Sequence, residues 1–301
     1  MAFIDEIERY EEYIKESQVL KEKIQEIAKN KNIEILYGED TMTTLLDKIN
    51  EQQPEEDNSV EFDTTFGNNT PEVISAVSEI IATNNMTSED VYNTYGWSVG
   101  DTHDITLTSG ETIQVRIIGF NHDDKSDGSG KAGITLQMVD CLATKYKMND
   151  TSTNAGGYPA SVMKTSTLPT IRALLPQEWQ DVTKLVDKKS ANGGSTNYTA
   201  TLTTSEDLFL LSAKEVYGVG SISQDGENEG SVYEYWSGKD DAYKIKKYDT
   251  DADGVADTAT DWWLRSCSTS KTTYFRNVSS SGGYFVANAN IAYGVSFGFC
   301  I

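Results

Sequence analysis

The chain ends on Gly294-Val295-Ser296-Phe297-Gly298-Phe299-Cys300-Ile301, and this apolar terminus constrains the fold more than any other segment. Val295, Phe297 and Phe299 alternate with small residues, the period-two pattern of a half-buried strand. Left free, such a terminus would hold large side chains in water, so it has to be tied into a sheet. Upstream, Asp261-Trp262-Trp263-Leu264-Arg265-Ser266 reads as a second strand. Adjacent indoles on a strand point to opposite faces, which places one of them in the core. Arg265 beside them is suited to locking neighbouring carbonyls or a carboxylate.

Between these two strands lie Cys267 to Gly294, 28 residues that, apart from Cys267, Lys271 and Arg276, are Ser, Thr, Tyr, Phe, Asn, Ala, Val, Ile and Gly, with Lys271 the sole member of the set Glu, Lys, Gln, Met and Trp. Those five types are the ones that mutation of the adenines in an Asn codon cannot reach. The segment reads as a surface open to diversification, or as a β-rich loop region with ordinary Ser/Thr/Gly bias.

Upstream the pattern is mixed. Thr70-Pro71-Glu72 starts a helix running to about Ala82, with a cap, a proline in the first turn and an acid behind it. Strands are expected at Asp104–Thr108 and Thr112–Phe120, joined by a turn at Ser109-Gly110, with a third at Ile134–Val139. Helical spacing returns from Ser161 to Val186, where Pro169 and Pro176 should break it. Leu208–Leu211 suits a buried strand. No alternating βαβ pattern occurs, so the fold class is α+β.

The first thirty residues read as one helix, with Ile4, Ile7, Tyr10, Tyr13, Ile14, Leu20, Ile24 and Ile27 among Glu and Lys. The register slips near Ser17, which suits a short coiled coil and self-association. A second short helix is expected over Met42 to Ile49, and the polar stretch from Glu51 to Ser59 reads as a linker. The expected organisation is 1–50 for assembly and attachment, 51–96 as linker and helical connector, and 97–301 as the main domain.

Composition excludes several functions. With 25 basic against 47 acidic residues the net charge is −22, so no broad contact with nucleic acid or anionic lipid is expected. No run of about 18 apolar residues is present to span a membrane. Met1–Glu6 turns acidic at once with no apolar run behind it, so a chain made and folded in the cytoplasm, without a secretory leader, is expected. Cys141, Cys267 and Cys300 have neither zinc-site spacing nor an even count. His103 and His122 read as exposed loop histidines, and no GxSxG turn supports a Ser-His-Asp set built on either. Gly128-Ser129-Gly130 lacks the Lys and helix of a phosphate loop. Asp249, Asp251, Asp253 and Asp257, with Gly254 at the sixth place, are candidate calcium ligands, although Thr260 stands where an EF-hand loop has its bidentate Glu.

WWLRS, Arg276-Asn277-Val278 and the GVSFGFCI ending resemble a C-type-lectin-like domain family of gut bacteria and their phages. VRIIGFNHDD (115–124), NAGGY (154–158) and LFLLSAKEVYG (208–218) fit the same family, and the resemblance covers roughly Trp97 to Ile301. The chain is also similar to the variable proteins of diversity-generating retroelements, and its N-terminal segment looks like the attachment end of phage tail proteins. The resemblance implies an N-terminal helix (coiled coil) plus a C-type-lectin-like domain with a mixed, mostly antiparallel sheet and long loops. It implies a non-enzymatic receptor-binding protein of a phage or prophage tail, a homotrimer bound to other tail proteins through its N-terminus and to a host surface protein or glycan through its C-terminal loops. The ligand residues it implies are Ser268, Thr269, Thr272, Tyr274, Ser279, Ser281, Tyr284, Phe285, Asn288, Asn290, Ile291 and Tyr293, with Trp262, Trp263, Leu264, Phe297 and Phe299 as scaffold. Tyr and Asn suit such a surface, since one offers stiff amphipathic area and the other adaptable hydrogen bonds. No Glu-Pro-Asn or Gln-Pro-Asp sugar motif occurs, and no cofactor beyond a candidate Ca²⁺ is required. A purely structural virion component, and an oxidase of the formylglycine-generating kind using Cys267 and Cys300, are the alternatives.

Overall fold

The computed structural model describes residues 60–194, 201–218, 228–251, 253–268 and 271–301. The expected coiled coil, the helix at Met42–Ile49 and the linker lie outside these residues. Contacts divide the chain into two units, Met1–Val60 and Glu61–Ile301. The second takes in the helical stretch that follows the linker.

That unit opens with α1 (Pro71–Thr83) and α2 (Ser88–Tyr95). The Thr70 hydroxyl accepts from Val73 N, and Ile74, Val77, Ser78 and Ile81 form the buried stripe, the i, i+3, i+4, i+7 spacing of one helix face. A capping box between Thr87 and Asp90 starts α2, and Gly96, at φ 78°, closes it in the left-handed conformation. These signals stand in the sequence beside the polar Ser88-Glu89-Asp90, whose apolar periodicity is too weak to announce a helix.

Strands β1 (Thr102–Thr106), β2 (Thr112–Phe120) and β3 (Ile134–Met138) form the expected meander, with β1 starting two residues earlier than its pattern suggests. Helical segments follow as short pieces: a π turn at Met163–Thr167, α3 (Leu168–Arg172) and α4 (Gln177–Val182). Pro169 does not break this stretch. It occupies the first turn of α3, where a missing N–H costs nothing, and the turn before it widens to i→i+5 bonding. Then come β4 (Val186–Ala191), β5 (Thr201–Glu206), β6 (Phe209–Leu210), α5 (Ala213–Tyr217), β7 (Lys246–Tyr248) and β8 (Thr258–Thr260). The chain finishes with β9 (Trp262–Cys267), β10 (Tyr274–Val278), β11 (Tyr284–Asn288) and β12 (Phe297–Cys300). The architecture is mixed α+β, with antiparallel pairing throughout the four described sheets.

The principal sheet has the order β1-β2-β3-β12-β6. The terminal strand is thus interior, paired with β3 on one side and β6 on the other. It is not half-buried: every residue from Gly294 to Ile301 is inaccessible. Trp179 of α4 rests edge-on against Phe299 at 5.9 Å. The opposite face, marked by Cys300, belongs to a cluster with Ile118, Phe209, Trp236, Trp262 and Leu264. Gly298 makes this packing feasible, because a Cβ there would lie 2.9 Å from the Phe209 ring. The Ser78 hydroxyl of α1 bonds the Ile301 carbonyl and accepts from Ile134 N, so helix, third strand and chain end share one polar contact.

Candidate functional site

A second sheet, ordered β11-β10-β9, carries the segment that composition singled out. All six residues of β9 are buried. Both indoles are in the core, contrary to the one-in, one-out expectation, because each face of β9 is covered. Trp262 Nε1–H donates to the Lys244 carbonyl at 3.0 Å and Trp263 Nε1–H to that of Tyr146 at 2.9 Å, so neither indole leaves its donor orphaned.

Arg265 is the fastener the sequence suggested. Its Nε donates to the Lys189 carbonyl (3.0 Å), Nη1 to Leu210 (2.9 Å) and Nη2 to Glu229 (2.8 Å), while the fork closes on both oxygens of Glu215. Lys188 sits on the same carboxylate at 3.2 Å and also bonds Asp123 and the Tyr233 hydroxyl. Burial pushes the Asp123 carboxyl up, but Lys188 and His122 overcome it and hold the group well below the usual carboxylate range. Two cations and two anions thus neutralise each other inside the fold, the arrangement in which buried charges are tolerated.

Asn154 of the NAGGY stretch fixes the approach to the hairpin. Its Nδ2 donates to the carbonyls of Ser268 (2.8 Å), Lys271 (2.7 Å) and Tyr274 (2.8 Å), and its Oδ1 accepts from Gly194 N. At the other end Asp261 accepts from Asn277 Nδ2 and Ser280 N. At the hairpin turn, Gly282 lies at φ 85°, and a Cβ there would overlap the Asp241 carbonyl oxygen.

On this frame the twelve ligand candidates separate. Register places Tyr274 opposite Asn288, Arg276 opposite Val286 and Val278 opposite Tyr284, all on one sheet face. The Arg276 guanidinium lies 4.6 Å over the Tyr284 ring. Phe285 pairs with Asn277 on the other face yet is 56% exposed, and Val286 and Ile291 are 37% and 42% exposed, a concentration of uncovered apolar area on one strand and its following turn. Thr272, Ser281 and Asn290 are exposed, whereas Ser279, Asn288 and Tyr293 are half-buried. Tyr293 packs on Trp263 at 4.9 Å. Ser268 is 2% exposed and drops out as a contact residue, since the Asn154 clamp pulls that turn inward. Thr269 lies outside the described residues. The Ser279 and Ser281 hydroxyls, 2.9 Å apart, occupy the hairpin turn, and Ser279 lies about 17 Å along the chain from Tyr274 at roughly 3.3 Å per residue. The candidates therefore form two groups rather than one patch. Arg276 and Val286 belong to the face but were not singled out, because alternation within a strand is invisible when the segment reads as loop.

Other candidates resolve as follows. Carboxylate oxygens of Asp249, Asp251 and Asp253 lie within 4.8 Å of one another, and Asp257 is not part of the group. Asp249 accepts from Asp251 N and Gly254 N, which folds the turn, and the neighbouring Asp253 charge raises the Asp251 carboxyl. All three cysteines are buried, and burial pushes the Cys141 thiol up to about 12 and that of Cys300 well above its ordinary value. Neither histidine is an exposed loop residue. His103 lies on β1 between Phe66 and Trp179, and His122, 16% exposed, lies 3.9 Å from the Tyr233 ring.

A family model described as a domain of unknown function, DUF6273, matches residues 140–301, more than half of the chain. The chain belongs to the DUF6273 family. The DUF6273 stretch contains the Asn154 clamp, Arg265 with its partner Glu215, and the whole hairpin sheet. It also contains β12 but not β3, so the principal sheet is completed by strands that precede the matched residues. No curated protein and no solved structure matches the chain. Among the described residues no helix is long and apolar enough to cross a membrane.

Proposed function

We propose that this DUF6273 chain is the receptor-binding protein of a phage or prophage tail, with a C-type-lectin-like domain that recognises a host surface protein or glycan. Binding falls to the exposed side chains of the β10–β11 hairpin, on both faces of β11, and to the turns beside it. The N-terminal segment assembles a homotrimer and joins it to other tail proteins in the virion. The observation that carries this reading is the contrast between frame and face: Trp262, Trp263, Arg265 and Asn154 are fully buried and bonded, while the hairpin they hold and its following turn expose Phe285, Val286, Asn290 and Ile291 and leave Tyr274 and Tyr284 half-buried. A rigid frame under stiff aromatic and adaptable polar side chains is how recognition loops limit the entropy lost on binding.

Binding of the purified full-length chain to host cells tests the reading, with Val286→Asp and Phe285→Ala as surface variants. Losses of about 30-fold or more from substitutions at a binding centre are expected. Equal binding by all three proteins removes the hairpin face from the contact, and absence of any binding by a chain that still enters the virion favours a purely structural role. Diversification is tested in the DNA: a near-identical repeat of codons 261–301 beside a reverse-transcriptase gene, differing at adenines, is expected. Asp249, Asp251 and Asp253 offer the hard oxygens that Ca²⁺ takes, and the ion would relieve the repulsion that raises Asp251. A rise in melting temperature with calcium, lost in Asp253→Asn, is the expected sign of that site.

A further inference from the structure

The buried charges described above form the floor of a cavity of about 490 Å³ whose mouth carries His122 and Ser231. The Ser231 hydroxyl lies 3.0 Å from His122 Nε2, and His122 Nδ1 lies 3.3 Å from Asp123 Oδ1. Asp123 is held ionised by Lys188 and takes further bonds from the Tyr233 and Thr135 hydroxyls, so towards His122 it can only accept. The proton of the neutral imidazole is thereby placed on Nδ1, and Nε2 is left with a lone pair aimed at the Ser231 O–H. Order and tautomer are those of a Ser-His-Asp set, which is defined by geometry rather than by sequence spacing.

The segment carrying Ser231 is fastened on both sides. The Glu229 carbonyl accepts from Arg265 Nη2 and the Ser212 hydroxyl, and Tyr233 N donates to the Glu215 carbonyl. Gly230, at φ 108°, passes so close to Glu215 that a Cβ would lie 3.0 Å from its carboxylate. Ser231 itself is exposed, so a substrate has access to its oxygen.

We propose that Ser231 is a nucleophile activated by His122 and positioned by Asp123, and that this cavity, apart from the hairpin face, hydrolyses a short-chain carboxylic ester. No apolar side chain is among the described residues lining the cavity, so it suits an acetyl-sized acyl group on a polar alcohol rather than a fatty chain. Ser231 Oγ attacks the carbonyl carbon as its proton passes to His122 Nε2. Collapse breaks the ester C–O bond, and the leaving alkoxide takes that proton. Water then attacks the acyl-serine, giving its proton to His122, which returns it to Ser231 Oγ as the carboxylic acid departs.

The test uses the full chain and a small fluorophosphonate, which phosphonylates an activated serine with loss of fluoride, with mass spectrometry locating the adduct. One adduct on Ser231 is expected, absent in Ser231→Ala, with a rate about 100-fold or more lower in His122→Ala. Hydrolysis of p-nitrophenyl acetate should vanish in Ser231→Ala, whose exposed site leaves folding untouched. Absence of a Ser231 adduct on the folded wild type, an equal rate in His122→Ala, or ester turnover surviving in Ser231→Ala would each overturn the proposal.

Discussion

Arg265 and Glu215 form a two-pronged ion pair in which both side chains are about 1% exposed, and this pair ties α5 to β9, the strand on which the β10–β11 hairpin rests. Arg265→Met leaves the Glu215 carboxylate with Lys188 as its one cation beside the Ser212 N–H, and removes a donor from three backbone carbonyls. Breaking a buried pair from one side costs about 3–5 kcal/mol. Urea unfolding should show a loss of that size. A change below about 1 kcal/mol would mean that water replaces the guanidinium, and the site is less closed than described.

Asn154 serves three carbonyls with one amide, which Ala cannot do. Asn154→Ala should cost about 1–3 kcal/mol and, in hydrogen exchange, speed the amide of Ser268, which bonds the Tyr274 carbonyl across that turn. Unchanged exchange there would show that the loop holds its shape without the clamp.

Gly282 combines a left-handed backbone with a close approach to the Asp241 carbonyl. Gly282→Ala should destabilise the chain by about 1–3 kcal/mol and shift the hairpin turn, where the Tyr217 hydroxyl donates to the Gly282 carbonyl at 2.8 Å. Host binding should fall with it, even though no candidate contact side chain is altered. Full binding in a destabilised variant would separate the turn from recognition.

Burial pulls the Lys246 amine down to about 7, and the nearby Arg116 cation adds to it. Its Nζ donates to the carbonyls of Met138 (2.6 Å) and Val139 (2.7 Å), two bonds that a neutral amine can make. The unfolded chain keeps this proton up to about 10.5, whereas the folded one releases it above about 7. Stability attributable to Lys246 therefore grows as pH rises above 7, and is lost as pH falls through 7. Between pH 7 and 9 the wild type should gain up to about 1.4 kcal/mol per pH unit relative to Lys246→Met in urea titrations. Parallel profiles would show that the amine stays charged in the fold.

Much of the scaffold was legible because local rules act alone there. Thr70-Pro71-Glu72 begins a helix by capping chemistry, and the β1–β2 turn at Ser109-Gly110 needs no distant partner. Strand β4 was not legible, since Lys188 and Ser190 point inward and its alternation runs against polarity. The hairpin β10–β11 hid in a stretch whose Ser, Thr and Gly content reads as loop. Nothing local marks Ser231 either: it meets His122 from 109 positions away, with no motif around it.

By itself the sequence determined that the apolar terminus is tied into a sheet and that WWLRS is a strand with at least one indole in the core, because large hydrophobic side chains carry that requirement wherever the chain folds. It also set the Cys267–Gly294 segment apart by its composition. The tertiary structure alone decided which of those residues face water, that Ser268 turns in while Val286 turns out, and that two tryptophans expected on opposite sides of a surface both lie in the core. Burial depends on what covers each face of a strand, and the covering elements come from distant parts of the chain that no local pattern names.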